Sequence, residues 1–180
     1  NFGIIIKLAE RQMSLYSRLI LAVLFAMPAA ADSRVCAGCH RAIWETYRQT
    51  GMGRSFYRLT PERLVEDFVR KNSYYHAPSS SYFTMLVRDG QYYQRRHQLD
   101  AAGNSVNVME FRVDYVMGSG NHARAYLHRT ESGRLMQLPL GWYAEKGGYW
   151  AMNPGYDRPD HDGFRRPITY ACMFCHNAYP

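Results

Sequence analysis

The sequence predicts an α+β fold: a central antiparallel sheet with a short helix at either end. Three observations carry this. Apolar residues fall at helical spacing from about Ser33 to Thr50, and a second compact turn with residues 172–176 closes the chain. Between them, segments from residue 81 onward alternate with a period of two, the mark of strands with one wet face. An Asp89-Gly90 pair divides two of these segments, as a tight hairpin requires. Hydrophobic residues make up 47% of the 180 positions and aromatics 14%, enough for one ordered domain and too little chain for two large ones.

Residues 1–12 read as an extension upstream of a natural start, outside the fold. From Met13 to Ala31 the chain has the three parts of a secretory signal: Arg18 near the start, an apolar run from Leu19 to Met27, then Pro28 and small residues. That run is too short to span a bilayer. Cleavage after Ala31 leaves residues 32–180 as the mature domain, exported to a bacterial periplasm or the cell exterior. The formal charge is +7, and the mature part stays basic after Lys7, Arg11, Arg18 and Glu10 are removed. Its arginines are scattered and the chain is exported, which argues against nucleic acid.

Within the domain, Ile43, Trp44 and Tyr47 form the inward stripe of the first helix, which Gly51 and Gly53 stop. Thr60 as N-cap and Pro61 at the first helical position open a second short helix, ending near Lys71, with Leu64, Val65 and Phe68 as its buried side. Strands follow at Ser81 to Arg88 and Gln91 to Leu99, then an alternating run from Glu110 to Tyr115. A further hairpin joins Ala123–Thr130 to Arg134–Leu138. A loop rich in proline, glycine and aspartate leads to the last helix.

Both end helices carry the same pattern, Cys36-Ala37-Gly38-Cys39-His40 and Cys172-Met173-Phe174-Cys175-His176, which together use all four cysteines. C-x-x-C-H is the attachment signature of a c-type haem: two thiols form thioethers with the porphyrin vinyl groups, and the adjacent histidine ligates the iron. Residues three apart share one helical face, so both sulfurs reach one edge of the macrocycle. Two other uses of C-x-x-C compete. A zinc knuckle brings its pairs together over a much shorter interval, and thiol exchange needs neither the histidine nor a second copy. Two haem c groups are therefore expected, held by Cys36, Cys39, Cys172 and Cys175, with His40 and His176 as proximal ligands. The sheet between them would fix their separation, as electron hopping requires.

Five histidines remain for the far side of each iron. His122 follows Gly118 and Gly120, whose backbone freedom would admit a flat porphyrin. His76 sits among tyrosines where helix gives way to sheet. These two are the candidate distal ligands, and Met52 is a third through its sulfur. His97 and His128 read as strand residues, and His161, between Asp160 and Asp162, as a solvated loop residue.

The segments CAGCHRAIWETYRQTGMGRSF, SYYHAPSSSYFTMLVRDGQYYQRR, MGSGNHARAYL, LPLGWYAEKGGYWAMNPGYD and CMFCHN resemble the cytochrome c-554-related multihaem proteins, especially exported bacterial ones that continue into tetratricopeptide repeats. The resemblance implies covalent haems with mostly two-histidine coordination and a role in carrying electrons to and from redox partner proteins. It also implies that the chain is the N-terminal part of a longer protein with further haem sites and repeats. The expected function is an exported electron-transfer module. A haem enzyme acting on a small nitrogen compound at an open iron, or a haem-containing interaction module, is the alternative; the sequence has no convergent acid–base constellation that marks a catalyst.

Overall fold

A computed structural model describes residues 34–118 and 122–176. The upstream extension, the signal segment, Ser33 and Gly120 lie outside the described residues. The chain divides into two compact units, residues 1–35 and 36–180, and the second holds the strands.

The elements are helix α1 (Arg34–Tyr47) and strands β1 (Phe56–Tyr57), β2 (Ser73–His76), β3 (Ser81–Arg88), β4 (Gln91–Leu99), β5 (Ser105–Arg112) and β6 (Tyr115–Gly118). Then come β7 (Ala123–Arg129), β8 (Leu135–Gln137), β9 (Leu140–Tyr143), β10 (Tyr149–Met152) and helix α2 (Tyr170–His176). The class is α+β with antiparallel pairing throughout. In place of one central sheet there are two. One has four strands in the order β2-β3-β4-β5; the other runs β1-β6-β7-β9-β10 with β8 also on β7.

The β3–β4 hairpin turns at Asp89 and Gly90, whose φ values of 52° and 69° are the left-handed pair that matches strand twist. The alternating run from Glu110 to Tyr115 is not one strand. It leaves the first sheet at Arg112 and enters the second at Tyr115. Between them Val113 and Asp114 are both buried. Asp114 holds this crossover: its carboxylate accepts the Arg129 N–H at 2.7 Å and the Arg112 Nε–H at 2.7 Å, and its own N–H donates to Leu127 O at 2.8 Å.

β8 and β9 lie in succession along one side of β7, since Leu127–Arg129 pair with β8 and Ala123 and Arg124 with β9. Pro139, which has no N–H to donate, separates them.

Both sheets feed one core. Phe83, Met85 and Tyr92 from the first meet Tyr126, Leu140 and Trp150 from the second. Gln94 joins the two sheets, its amide donating to Leu140 O at 3.0 Å and accepting from Leu140 N at 2.9 Å. A buried amide satisfied in both directions adds specificity at a place where an unpaired polar group would be costly.

The expected helix after Thr60 is a single 3-10 turn, Pro61–Arg63. Leu64 is already extended, with ψ of 135°. Phe68 is buried as expected, Leu64 is half-buried, and Val65 is 48% exposed. The side chain that goes inward here is Glu66, and its carboxylate accepts the Val65 N–H at 2.9 Å. Neither α1 nor α2 contains a buried residue. Among the described residues no helix is long and apolar enough to cross a membrane.

Candidate functional site

The first C-x-x-C-H lies on α1. Cys36 and Cys39 are exposed and in no disulfide. At His40 the helix breaks, with φ of −126° and ψ of 45°, and then resumes to Tyr47. The residue type expected to reach the iron is thus where the backbone leaves its helical path. Trp44, one turn on, is half-buried, with the Arg48 guanidinium 4.5 Å above its ring. The helix ends with Thr50 Oγ1 donating to Tyr47 O at 2.6 Å and accepting the Gly53 N–H at 3.1 Å. A Cβ on Gly53 would lie 2.2 Å from Tyr47 O, so glycine is what lets the chain double back there. Met52 sits in that turn, 46% exposed.

The second C-x-x-C-H lies on α2, and the sheet leads the chain into it. Gln137 N donates to Arg166 O and Ile168 N to Leu135 O, both at 2.9 Å, so the preceding segment runs along β8. Thr169 O then accepts from Cys172 N and Met173 N, each at 3.1 Å. Cys172 is half-buried and Cys175 exposed, both free. His176 is half-buried, and its Nδ1 is buried without a hydrogen-bond partner.

These residues fit a covalently held porphyrin. Each helix presents two thiols three residues apart and outside any disulfide, with an imidazole next, and has no buried residue. Around them stand large apolar side chains turned to solvent: Ile43 at 65% exposure, Tyr170 at 95% and Phe174 at 85%. No three His, Cys, Asp or Glu side chains converge as a metal site among the described residues. The four thiols are therefore not arranged to close around a single zinc ion.

The candidate distal ligands differ sharply in setting. His122 is exposed at the start of β7, and its carbonyl accepts from Ala144 N at 2.9 Å. Gly118 has another reason for being glycine than room for a porphyrin, since a Cβ there would sit 2.1 Å from Ala123 O in the β6–β7 pair. His76 is only 3% exposed. Its Nδ1 meets Ser79 Oγ at 2.8 Å, while Nε2 is buried with no partner. An anchored Nδ1 and an open Nε2 are the usual arrangement of a ligating histidine, yet this Nε2 is closed off from solvent, so an iron reaches it only if neighbouring groups move.

One of those neighbours is His161, which corrects the expectation of a solvated loop residue. Its ring lies 5.4 Å from that of His76, 5.5 Å from Tyr156 and 6.2 Å from Phe83. Its Nδ1 accepts the Gly163 N–H at 3.0 Å, and Nε2 is buried and unpartnered. Burial first, then the nearby His76 and Arg96, hold its pKa below the ordinary histidine value. Flanking aspartates pointed to water, and no local sequence signal marks the contact with Phe83 and His76, which lie far away in the chain.

His97 stacks on Tyr82 at 5.2 Å with 17° between the rings. Its Nδ1 is buried without a partner, and burial followed by Arg95 lowers its pKa. His128 is engaged by Arg112 O at 3.0 Å and Asp114 Oδ2 at 3.2 Å.

Near the turn that follows the first helix the structure has a feature that sequence reading missed. Arg124, 3% exposed, makes hydrogen bonds at 3.0 Å to both oxygens of Glu66, which is wholly buried, and donates to Arg63 O at 2.9 Å. The Tyr126 hydroxyl donates to the same carboxylate. Burial first, then Glu66, raises the Tyr126 pKa well above the usual phenol value, so it stays a donor.

In comparisons with known proteins, no family model matches the chain, and no match was found among curated proteins or solved structures.

Proposed function

We propose that this chain is an exported electron-transfer module carrying two covalently attached c-type haems, related to the cytochrome c-554-like multihaem proteins. Cys36, Cys39 and His40 would hold one group, and Cys172, Cys175 and His176 the other. The observation that carries the reading is the repeated C-x-x-C-H, which uses every cysteine and falls both times on a helix with free thiols and no buried face. When bound, such groups supply one-electron ferric–ferrous couples. The protein's part is to fix them. The segment before α2 is bonded to β8, and α1 passes through a tight glycine turn into β1, so each attachment site leads directly into the same sheet.

His122, His76 and, through its sulfur, Met52 are the candidates for a second ligand to each iron. His122, exposed at a strand start, is accessible to an iron without rearrangement of the core. His76, whose Nε2 is buried, would become a ligand only if the groups covering it move.

The test is expression of the full chain, export signal included, in a host competent for cytochrome c maturation. The reading requires a red protein whose haem stays on the polypeptide through denaturing electrophoresis, with low-spin spectra from six-coordinate iron. A high-spin band with carbon monoxide binding would move it towards a catalyst with an open iron. A colourless protein with reactive thiols would reject it.

A further inference from the structure

A cleft of about 700 Å³ opens where α1 ends. Its wall includes Arg48 and Arg54 from the turn after the helix, Tyr57 from β1, Glu62 and Arg63 from the 3-10 turn, and Arg124 from β7. Arg124 has its charge answered by Glu66 behind it. The other three guanidinium groups do not. Arg48 lies over the Trp44 ring and Arg63 over the Tyr57 ring at 5.0 Å, and among the described residues neither they nor Arg54 meet a carboxylate. Glu62 is fully exposed, with a pKa lowered chiefly by the Thr60 hydroxyl, which engages its carboxylate.

Arg48 and Arg54 from one turn and Arg63 from another place three like charges on one concave surface, where they repel one another and, outnumbering Glu62, focus a positive potential. Tyr57 adds a second, independent observation. It lines the cleft and its hydroxyl is buried with no hydrogen-bond partner, a costly state for a donor that an acceptor in the cleft would relieve once the groups covering the hydroxyl shift. Burial is the first cause holding its pKa above the usual value, so the donor proton is retained.

We propose that this cleft is a carboxylate-binding site, with Arg54 and Arg63 as its principal contacts and Arg48 and Tyr57 as supporting donors. The guanidinium fork matches a carboxylate in two parallel hydrogen bonds. Two sources can supply that group. One is the propionate pair of the haem held by Cys36, Cys39 and His40, since the cleft begins at Arg48, where the helix bearing that signature ends; this source rests on the function proposed above. The other is a free carboxylate in solution, which does not.

The experiment compares the purified holoprotein with the double variant Arg54→Gln/Arg63→Gln, and with the pair Arg134→Gln/Arg158→Gln, outside the cleft, as a control for net charge. All four positions are exposed, so the fold is not at risk. Midpoint potentials are measured by spectroelectrochemical titration across pH, and succinate binding by calorimetry at low salt. If propionates fill the cleft, the double variant lowers the potential of one haem, because losing positive charge favours the ferric form, and the potential becomes more pH-dependent. If the ligand is free, the wild type binds succinate saturably, and the double variant loses affinity by about tenfold or more, as expected when charge-assisted hydrogen bonds are removed. A double variant that matches the control in both readouts overturns the proposal. Should the protein carry no haem, succinate alone decides: binding that the double variant loses keeps the cleft as an anion site while the haem reading fails, and absence of binding rejects both.

Discussion

Glu66→Gln tests the buried network behind that cleft. The substitution keeps the shape and an acceptor for Tyr126, but it leaves the Arg124 guanidinium, 3% exposed, without its counter-charge. Removing one partner of a buried ion pair costs about 3–5 kcal/mol, because the remaining charge is uncompensated. Arg63 O and the faces of Tyr57 and Trp142, 5.7 and 5.8 Å from the guanidinium, retain part of the stabilisation, so the lower end of that range is expected. Urea unfolding of the apoprotein, with the m-value unchanged, reads the loss as a fall in midpoint. The double variant Glu66→Leu/Arg124→Met removes both charges together and is expected to be more stable than Glu66→Gln, since paired removal leaves nothing unpaired. A Glu66→Gln loss below about 1 kcal/mol, or a double variant less stable than the single, would refute the reasoning.

Other parts of the fold give sharper local tests. Gln94→Leu leaves Leu140 N and O without their partner and is expected to cost about 2 kcal/mol or more in thermal or urea unfolding. Gly148→Ala, with φ of 91° and a new Cβ 2.8 Å from Trp142 Cζ2, is expected to destabilise more than Gly103→Ala, which has φ of 81° and open space around it; the latter pays only the left-handed backbone cost of about 1–2 kcal/mol. His97 has a folded-state pKa held below 6.5, so the unfolded chain takes up its proton first as the pH falls. Stability from this group is present above 6.5 and is lost as the pH drops through the folded value; His97→Gln is expected to flatten that part of the pH–stability curve.

What the sequence made legible was local chemistry. Asp89-Gly90 specified a left-handed turn, and the strands on either side took the expected bounds, because turn type and alternation act within a few residues. The two C-x-x-C-H segments stand out in the sequence for the same reason, each being five consecutive residues. What was not legible depends on partners distant in the chain. The helix expected after Thr60 has an N-cap residue type and apolar spacing in the sequence, but Thr60 makes no capping hydrogen bond, Glu66 is drawn inward to Arg124 and Tyr126, 58 and 60 residues away, and the chain extends to let it reach them. His161 looked solvated beside its aspartates and is instead packed on His76 and Phe83. The alternation through Val113 and Asp114 hid a change of sheet, since a buried aspartate that bonds three backbone and side-chain partners occupies a position that alternation assigns to solvent.

Intact-mass measurement of the protein made in a host competent for cytochrome c maturation tests the central claim most directly. The account predicts a mature chain heavier by two haem groups, with no thiol open to alkylation, and a Cys36→Ser/Cys39→Ser variant that retains one group at Cys172 and Cys175. A wild-type chain at its bare polypeptide mass, with four alkylatable cysteines, would contradict it.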